Sequence, residues 1–205
     1  MAQLEMFEAP DKKYEKVYLD ETYFIEKHFQ LDIFKTTSND FNLLWDEHPE
    51  AYHEVVIHGK KVKTPRWQQA YGKNYEYTGS KNNALPLDRI DGKYLDWSRA
   101  HVDQRVNGLL LNWYDGSENH YIGKHRDSTK GLETGSPIIT ISHGEERVFR
   151  MRPYGGKGFH DLLVKDGDVI VIPWETNKNY THELPHFSKY KGRRISITLR
   201  AYSEG

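Results

Sequence analysis

Two histidines and one aspartate have the residue types and the spacing of a metal site. His125 and Asp127 are separated by one residue in GKHRDS, and His182 lies far downstream in NYTHELP. In an extended segment these first two side chains point to the same face, so one metal ion can take both. Two imidazoles and one carboxylate leave one side of a metal open, as non-haem iron(II) requires to bind oxygen and a co-substrate. The sequence therefore predicts a metal site on His125, Asp127 and His182.

The histidines of this chain also have other interpretations. The chain has 11 histidines, so a chance His-x-Asp among solvated loop residues is the alternative for the first pair. His101 and Asp103 have the same spacing, but they fall in a predicted helix, where residues two apart point to different faces. His182 and His186 are four apart, and Pro185 between them argues against a helical zinc site.

A pair of arginines in the last apolar run, GRRISITLRAY, predicts a carboxylate site beside the metal. Arg194 and Arg200 share one face of a strand, whereas Arg193 points to the other face and is expected in solvent. A buried arginine needs a partner, and the planar guanidinium suits a carboxylate. Asn112 and Tyr114 also share a strand face and can add neutral hydrogen bonds, although core packing is an alternative for Tyr114. A metal beside such a clamp indicates a 2-oxo acid held against iron.

The elements that must position these residues divide into two groups. The second half consists of short runs rich in β-branched and aromatic residues, which predict a barrel or sandwich: GLLLNWY, PIITISHG, RVFRMRP, HDLLV, DVIVIP and RISITLRAY. The first half predicts a strand or strand-turn in VYLDETYFIEKHF and a hairpin in EVVIHGKKVKTPRW, with its turn at HGK. It also predicts a helix through DFNLLWDEH, capped by Ser38 or Asn39, and a helix in DWSRAHVDQRVNG that stops at Gly108.

The order of the motifs resembles that of the AlkB-type 2-oxoglutarate/iron(II) dioxygenases, a family of nucleic-acid oxidative demethylases. Five motifs in one order are far more specific than any one of them. The resemblance covers Thr64 to Tyr202 and rests on TPRWQQAYG, on NWY at Asn112–Tyr114, on the ligand triad, on GSPI at Gly135–Ile138, and on the terminal arginines.

The resemblance implies an α+β fold with a double-stranded β-helix, or jelly-roll. We expect one domain over 1–205: an irregular arm at 1–16, N-terminal helices, a substrate-lid hairpin region at 53–80, and the jelly-roll core at 108–203. The implied cofactor is Fe(2+), with 2-oxoglutarate and O2 as co-substrates. The residues implied to bind 2-oxoglutarate are Asn112, Tyr114, Arg194, Ser196 and Arg200. Arg194 is expected at the distal carboxylate, and Arg200 either at the carboxylate near the metal or in its support.

The lid segment TPRWQQAYGKNYEYTGS interleaves aromatics with basic residues, which suits stacked bases and phosphates. The resemblance implies that Arg66, Tyr75 and Tyr77 contact an extruded base; the alternative is a hairpin packed on the barrel. In two places the chain departs from the family pattern. Ser196 stands where the family commonly has Asn, and Ser128 and Thr129 stand where some DNA-repair members carry an acidic residue. The identity of the base therefore does not carry over.

Composition limits the partners. The formal net charge is -1, so phosphate contact must come from a local patch such as Lys60, Lys61, Lys63 and Arg66. There is no cysteine, and neither a signal-peptide core nor a membrane span is evident. We expect an intracellular monomer that demethylates N-alkylated bases in DNA or RNA and has no membrane partner. A 2-oxoglutarate-dependent hydroxylase or demethylase of a protein side chain or small molecule is the alternative, and a non-catalytic reader of methylated bases is a third.

Overall fold

The structure, a computed structural model, describes residues 14–77 and 80–204, without the side chains of Ile57 and Tyr77. The strands are β1 Tyr14–Tyr18, β2 Phe24–His28, β3 Glu54–Ile57, β4 Lys60–Lys63, β5 Trp67–Tyr71, β6 Tyr75–Tyr77, β7 Ser80–Asn82, β8 Gly108–Asp115, β9 Ile122–His125, β10 Ile138–Gly144, β11 Arg147–Pro153, β12 His160–Val164, β13 Val169–Ile172, β14 Tyr180–Leu184 and β15 Arg193–Arg200. The helices are α1 Ser38–Asp46, α2 Lys93–His101 and α3 Trp174–Asn179, with 3-10 turns at Asp32–Phe34 and Leu87–Arg89.

Two antiparallel sheets form the body of the protein, and the predicted α+β jelly-roll is confirmed. The large sheet has the order β1-β2-β13-β10-β15-β8-β5, and the small sheet has the order β12-β11-β14-β9. The hairpins β3–β4 and β6–β7 form separate two-stranded sheets. Within β3–β4, His58 and Gly59 both have positive φ, 49° and 76°, as a tight two-residue turn requires; the predicted hairpin and its turn are confirmed.

The large sheet is covered on both faces, which explains why its central strands are apolar without strict alternation. One face packs on the helices through Ile195, Ile197 and Leu199 of β15, in the same apolar cluster as Trp45 of α1 and Trp97 of α2. The other face meets the small sheet in a second apolar cluster, whose members include Ile138, Ile170, Ile172, Phe149, Met151 and Leu162. The candidate site lies on this second side.

Several predicted boundaries were wrong. The cap of α1 is Thr37, whose side chain accepts a hydrogen bond from the Asp40 amide while Asp40 bonds back, so neither Ser38 nor Asn39 caps the helix. Helix α2 ends at His101 and not at Gly108, because Asp103 accepts hydrogen bonds from the Arg105 amide and guanidinium in a turn after the helix.

The terminal arm and the lid differ in part from their expected extents. Strand β1 begins at Tyr14, and the rest of the expected arm lies outside the described residues. Within region 53–80, β5 is an edge strand of the large sheet, since it pairs with β8, so the part that stands apart is the two hairpins. That the chain is one domain stays a prediction. Among the described residues, no helix is both long and apolar enough to cross a bilayer.

Candidate metal and co-substrate site

The small sheet brings the two predicted histidine ligands together. His125 ends β9 and His182 lies in β14, and their Cα atoms are direct partners across the two strands. Their ring centroids are 4.3 Å apart, and one ligand atom from each of His125, Asp127 and His182 lies within 4.8 Å of the others. Asp127 follows β9 and is buried. Two imidazoles and one carboxylate thus converge on one point, as a facial metal site needs.

The charge states of the three side chains suit a divalent metal. Burial lowers the pKa of His182 to about 3 and also lowers the pKa of His125, so both imidazoles are neutral at pH 7. Burial opposes ionisation of Asp127, but Arg200 and the two histidines outweigh it and lower the pKa of its carboxyl to about 2. Nδ1 of His125 lies 2.9 Å from the Gly123 carbonyl; donation there leaves the ring lone pair on Nε2.

The residues present fit a bound cation. Asp127 Oδ2 and His182 Nδ1 are buried, and neither has a hydrogen-bond partner within the described part of the chain. A buried carboxylate oxygen without a partner is costly, and a metal ion removes that cost.

Two side chains hold Asp127 from behind. Arg200 donates from Nη2 to Asp127 Oδ1 at 2.8 Å. Burial alone would lower the pKa of Arg200, but the Asp127 carboxylate outweighs this effect and raises it. Asn177, buried in α3, accepts a hydrogen bond from the Asp127 amide at 3.1 Å and donates to its carbonyl at 3.0 Å. Arg200 fixes the carboxylate and Asn177 fixes the backbone that carries it. Arg200 thus bonds to a predicted metal ligand, and its contact with the 2-oxoglutarate carboxylate stays a prediction.

Arg194 is buried on β15 close to Tyr114. It is fully buried, whereas Arg193 is exposed, so the predicted strand register is correct. Arg194 Nη2 donates to Ser142 Oγ at 2.8 Å, and its guanidinium lies 5.5 Å from the Tyr114 ring centroid. Nε and Nη1 find no partner among the described residues. Burial lowers the Arg194 pKa to about 10, so it stays cationic at pH 7 and suits a carboxylate.

Asn112 is hydrogen-bonded to two other residues that line the cavity. Its Oδ1 accepts from Arg66 Nε at 3.0 Å and from Gln68 Nε2 at 2.7 Å. Ser196 lies directly across from Asn112 on the neighbouring strand β15, and both side chains face the cavity. The serine that departs from the family pattern therefore still presents a hydroxyl at the expected place.

A cavity of about 360 Å³ joins these parts. That volume is within the range of small-ligand sites. Its lining includes the three triad residues, Asn112, Tyr114, Ser196, Thr198 and Arg200 on the inner side, and Val55, Val62, Lys63, Arg66, Tyr75, Tyr121 and Lys124 on the outer side.

The predicted substrate residues are placed as follows. Tyr75 lines the cavity, with the Arg200 guanidinium 4.9 Å from its ring centroid, and burial raises its pKa. The side chain of Tyr77 is not among those that the structure describes. Arg66 also lines the cavity, but it is buried, whereas the other three members of the predicted basic patch, Lys60, Lys61 and Lys63, are exposed.

Sequence reasoning missed several residues of the site. Thr198 could have been found, because it lies between Ser196 and Arg200 on the same strand face. Asn177 and Ser142 lie in other elements, and their contacts depend on tertiary structure, so no local pattern indicates them.

Comparison with known proteins agrees with this site. The sequence profile of the 2OG-Fe(II) oxygenase superfamily matches residues 21–200. The chain is 29% identical over 161 residues to "DNA oxidative demethylase ALKBH2" of Bos taurus, covering 73% of this chain and 58% of that protein. It is 30% identical over 161 residues to the Homo sapiens protein of the same name, covering 73% of this chain and 61% of that one. The chain thus spans about three fifths of these relatives.

A solved structure, "The structure of OsALKBH1", superposes with a TM-score of 0.57 at 14% identity, over 92% of this chain and 100% of that chain, and supports the fold alone. The AlkB-type resemblance seen in the motifs is confirmed by these relatives. Iron(II) and 2-oxoglutarate, expected from the ligand types, are the groups that the matched superfamily uses.

Proposed function

Since this chain belongs to the 2OG-Fe(II) oxygenase superfamily, we propose that it is an iron(II)- and 2-oxoglutarate-dependent oxidative demethylase of N-methylated bases in DNA. The observation that carries the proposal is the cavity itself. It joins the His125, Asp127 and His182 triad to an outer wall of aromatic and cationic side chains. Arg194 does not line the cavity, but its guanidinium lies 5.5 Å from the ring centroid of Tyr114, which does. The choice of DNA rests on the printed names of the relatives.

His125, Asp127 and His182 would hold the iron, which when bound supplies oxygen activation and hydrogen abstraction. Asp127 is ionised and the imidazoles are neutral before any metal arrives, so binding requires little proton release at pH 7. Arg200 and Asn177 keep the Asp127 carboxylate aimed at the metal.

Arg194 would bind the distal carboxylate of 2-oxoglutarate through Nε and Nη1, which are the guanidinium nitrogens that Ser142 does not occupy. Asn112, Tyr114 and Ser196 line the cavity and offer neutral hydrogen bonds. Because Arg194 is fully buried and has no carboxylate partner among the described residues, it would favour a dicarboxylate over a monocarboxylate.

The overall reaction consumes one O2 and one 2-oxoglutarate and yields succinate and carbon dioxide. One oxygen atom enters succinate, and the other converts N–CH3 to N–CH2OH. The N–CH2OH group then breaks its C–N bond, releasing formaldehyde and restoring the N–H of the base. The residues of the outer wall would position the methyl carbon, and Tyr75 offers a ring face for stacking near the ligands.

The experiment is mass spectrometry of a panel of methylated single- and double-stranded DNA oligonucleotides after incubation with the protein, iron(II), ascorbate and 2-oxoglutarate. We expect the oligonucleotide to lose about 14 Da, the mass of one CH2 group, for each demethylated lesion. This loss should be coupled to the formation of formaldehyde and succinate. Tyr75→Ala should reduce turnover of oligonucleotides by about tenfold or more, since stacking contributes roughly 1–3 kcal/mol per base. Succinate formation without demethylation of any oligonucleotide would refute a nucleic-acid substrate and favour a protein or small-molecule one.

A further inference from the structure

The outer walls of the cavity carry positive charge. Lys63 at the end of β4 and Lys124 beside His125 in β9 are exposed and line the cavity from two sides. Arg66 also lines the cavity and is buried, with Nε 3.0 Å from Asn112 Oδ1.

Negative charge on these walls is confined to one ligand. Among the described residues that line the cavity, Asp127 is the only carboxylate, and Arg200 already holds it at 2.8 Å. The nearby Glu54 is outside the lining and pairs with Lys61 at 3.7 Å. A base in the outer cavity therefore meets aromatic, aliphatic and cationic groups.

A bound metal ion and dicarboxylate would not make the net charge of the site negative. A divalent metal, Asp127 and a dicarboxylate together carry a small negative charge, which the buried Arg194 and Arg200 outweigh. The exposed lysines also suit backbone phosphates, but Arg66 is held inside by Asn112, so its charge remains near the base whatever the lysines bind.

On the basis of the proposed function, we infer that this site takes N-methylated bases that are neutral at pH 7 and carry ring carbonyls, in preference to cationic N-methylated bases. Ring carbonyls accept hydrogen bonds from guanidinium and ammonium groups, which are donors only. A cationic base such as 3-methylcytosine is repelled by the same groups and has no free carboxylate to meet. Uracil and thymine methylated at N3 and guanine methylated at N1 belong to the neutral class, because the methyl group there replaces the proton of a ring N–H.

The decisive comparison uses two single-stranded oligonucleotides that differ at one base. One carries 3-methyluracil, and the other carries 3-methylcytosine, which has the same ring and the same methylated atom but is cationic at pH 7. We expect kcat/KM for 3-methyluracil to exceed that for 3-methylcytosine by roughly tenfold, a factor that one charge pair across the cavity can supply. The ratio should narrow at alkaline pH, where 3-methylcytosine loses its proton.

A charge reversal tests whether the cavity wall is the cause. Lys63→Glu puts a carboxylate on the wall, and Lys60→Glu makes the same change on the same hairpin at a residue that does not line the cavity. Both variants should weaken oligonucleotide binding alike, which fluorescence anisotropy measures on the manganese-loaded protein. Lys63→Glu alone should lower the ratio of 3-methyluracil to 3-methylcytosine turnover, by severalfold.

The outcomes separate the two proposals. Equal turnover of the two bases, or faster turnover of 3-methylcytosine, overturns this inference and leaves the demethylase proposal in place. An equal change of the ratio in Lys63→Glu and Lys60→Glu also overturns it, because surface charge then decides the preference. Turnover of neither oligonucleotide overturns this inference, and the demethylase proposal then depends on the panel of other methylated oligonucleotides.

Discussion

The contact between Asn177 and Asp127 leads to a sharp prediction about metal affinity. Asn177→Ala removes a side chain that bonds both the amide and the carbonyl of Asp127, at 3.1 and 3.0 Å. Both groups are buried, so the variant leaves a donor and an acceptor to find other partners. Asp127 would still be present and ionised, but its backbone would be free to shift away from the two histidines.

The size of the effect follows from these contacts. Each buried backbone group that loses its partner costs about 1–3 kcal/mol, part of which water or a small backbone shift recovers. Loss of a side chain that orients a metal ligand typically lowers metal affinity by roughly 10–100-fold. We therefore expect the Kd for manganese(II) to rise by about that factor in Asn177→Ala.

The assay is anaerobic titration of the metal-free protein with manganese(II), followed by electron paramagnetic resonance of the free ion. Asn179→Ala is the matched control, because Asn179 lies in the same helix and its side chain donates to the Glu175 carbonyl at 2.8 Å and not to Asp127. Thermal unfolding of both metal-free variants measures the loss of stability separately. If Asn177→Ala unfolds earlier but binds manganese as tightly as the control, then Asn177 stabilises the fold only, and the reasoning is refuted.

The other predictions concern the same site and the stability of the sheet. Asp127→Ala should abolish iron-dependent succinate formation, and normal turnover by this variant would remove the triad assignment. Arg194→Gln should raise the 2-oxoglutarate concentration needed for half-maximal turnover by about 30-fold or more, because a buried charged partner contributes on the order of 2–5 kcal/mol, whereas the exposed Arg193→Gln should not; the reverse result would mean that the register of β15 is wrong. Burial lowers the pKa of His28, so the unfolded chain binds more protons just below pH 6.5 and the free energy of unfolding should fall as pH drops through that region. His28→Phe should flatten this slope in urea titrations, and an unchanged slope would assign the effect to other groups.

Much of the site could be predicted because its residues follow local rules. His125 and Asp127 are spaced for one side of an extended segment, and the alternation in β15 separates Arg194 from Arg193. His182 was recoverable only through the motif order, because its position opposite His125 depends on the pairing of β14 with β9.

The errors arise where tertiary contacts override local signals. The end of α2 was misplaced because the turn at Asp103 and Arg105 competes with helix continuation, while Val106 remains buried although it lies outside the helix. Arg66 follows three lysines in a basic run, yet it turns inward to Asn112. A charge pattern alone does not distinguish a solvated arginine from one that is hydrogen-bonded inside a cavity.

Strand β15 has a consequence for how this sequence can evolve. Ser196, Thr198 and Arg200 line the cavity, while Ile195, Ile197 and Leu199 enter the apolar cluster beneath the helices. Deleting one residue in the middle of the strand would exchange the two sets on one side of the deletion, burying an arginine among tryptophans and exposing isoleucine to the co-substrate. Insertions and deletions should therefore be rare in this strand among related genes, whereas the glycine-containing turn at 155–158 should tolerate them. We expect substrate range to diversify through substitutions in the two hairpins and not through β15.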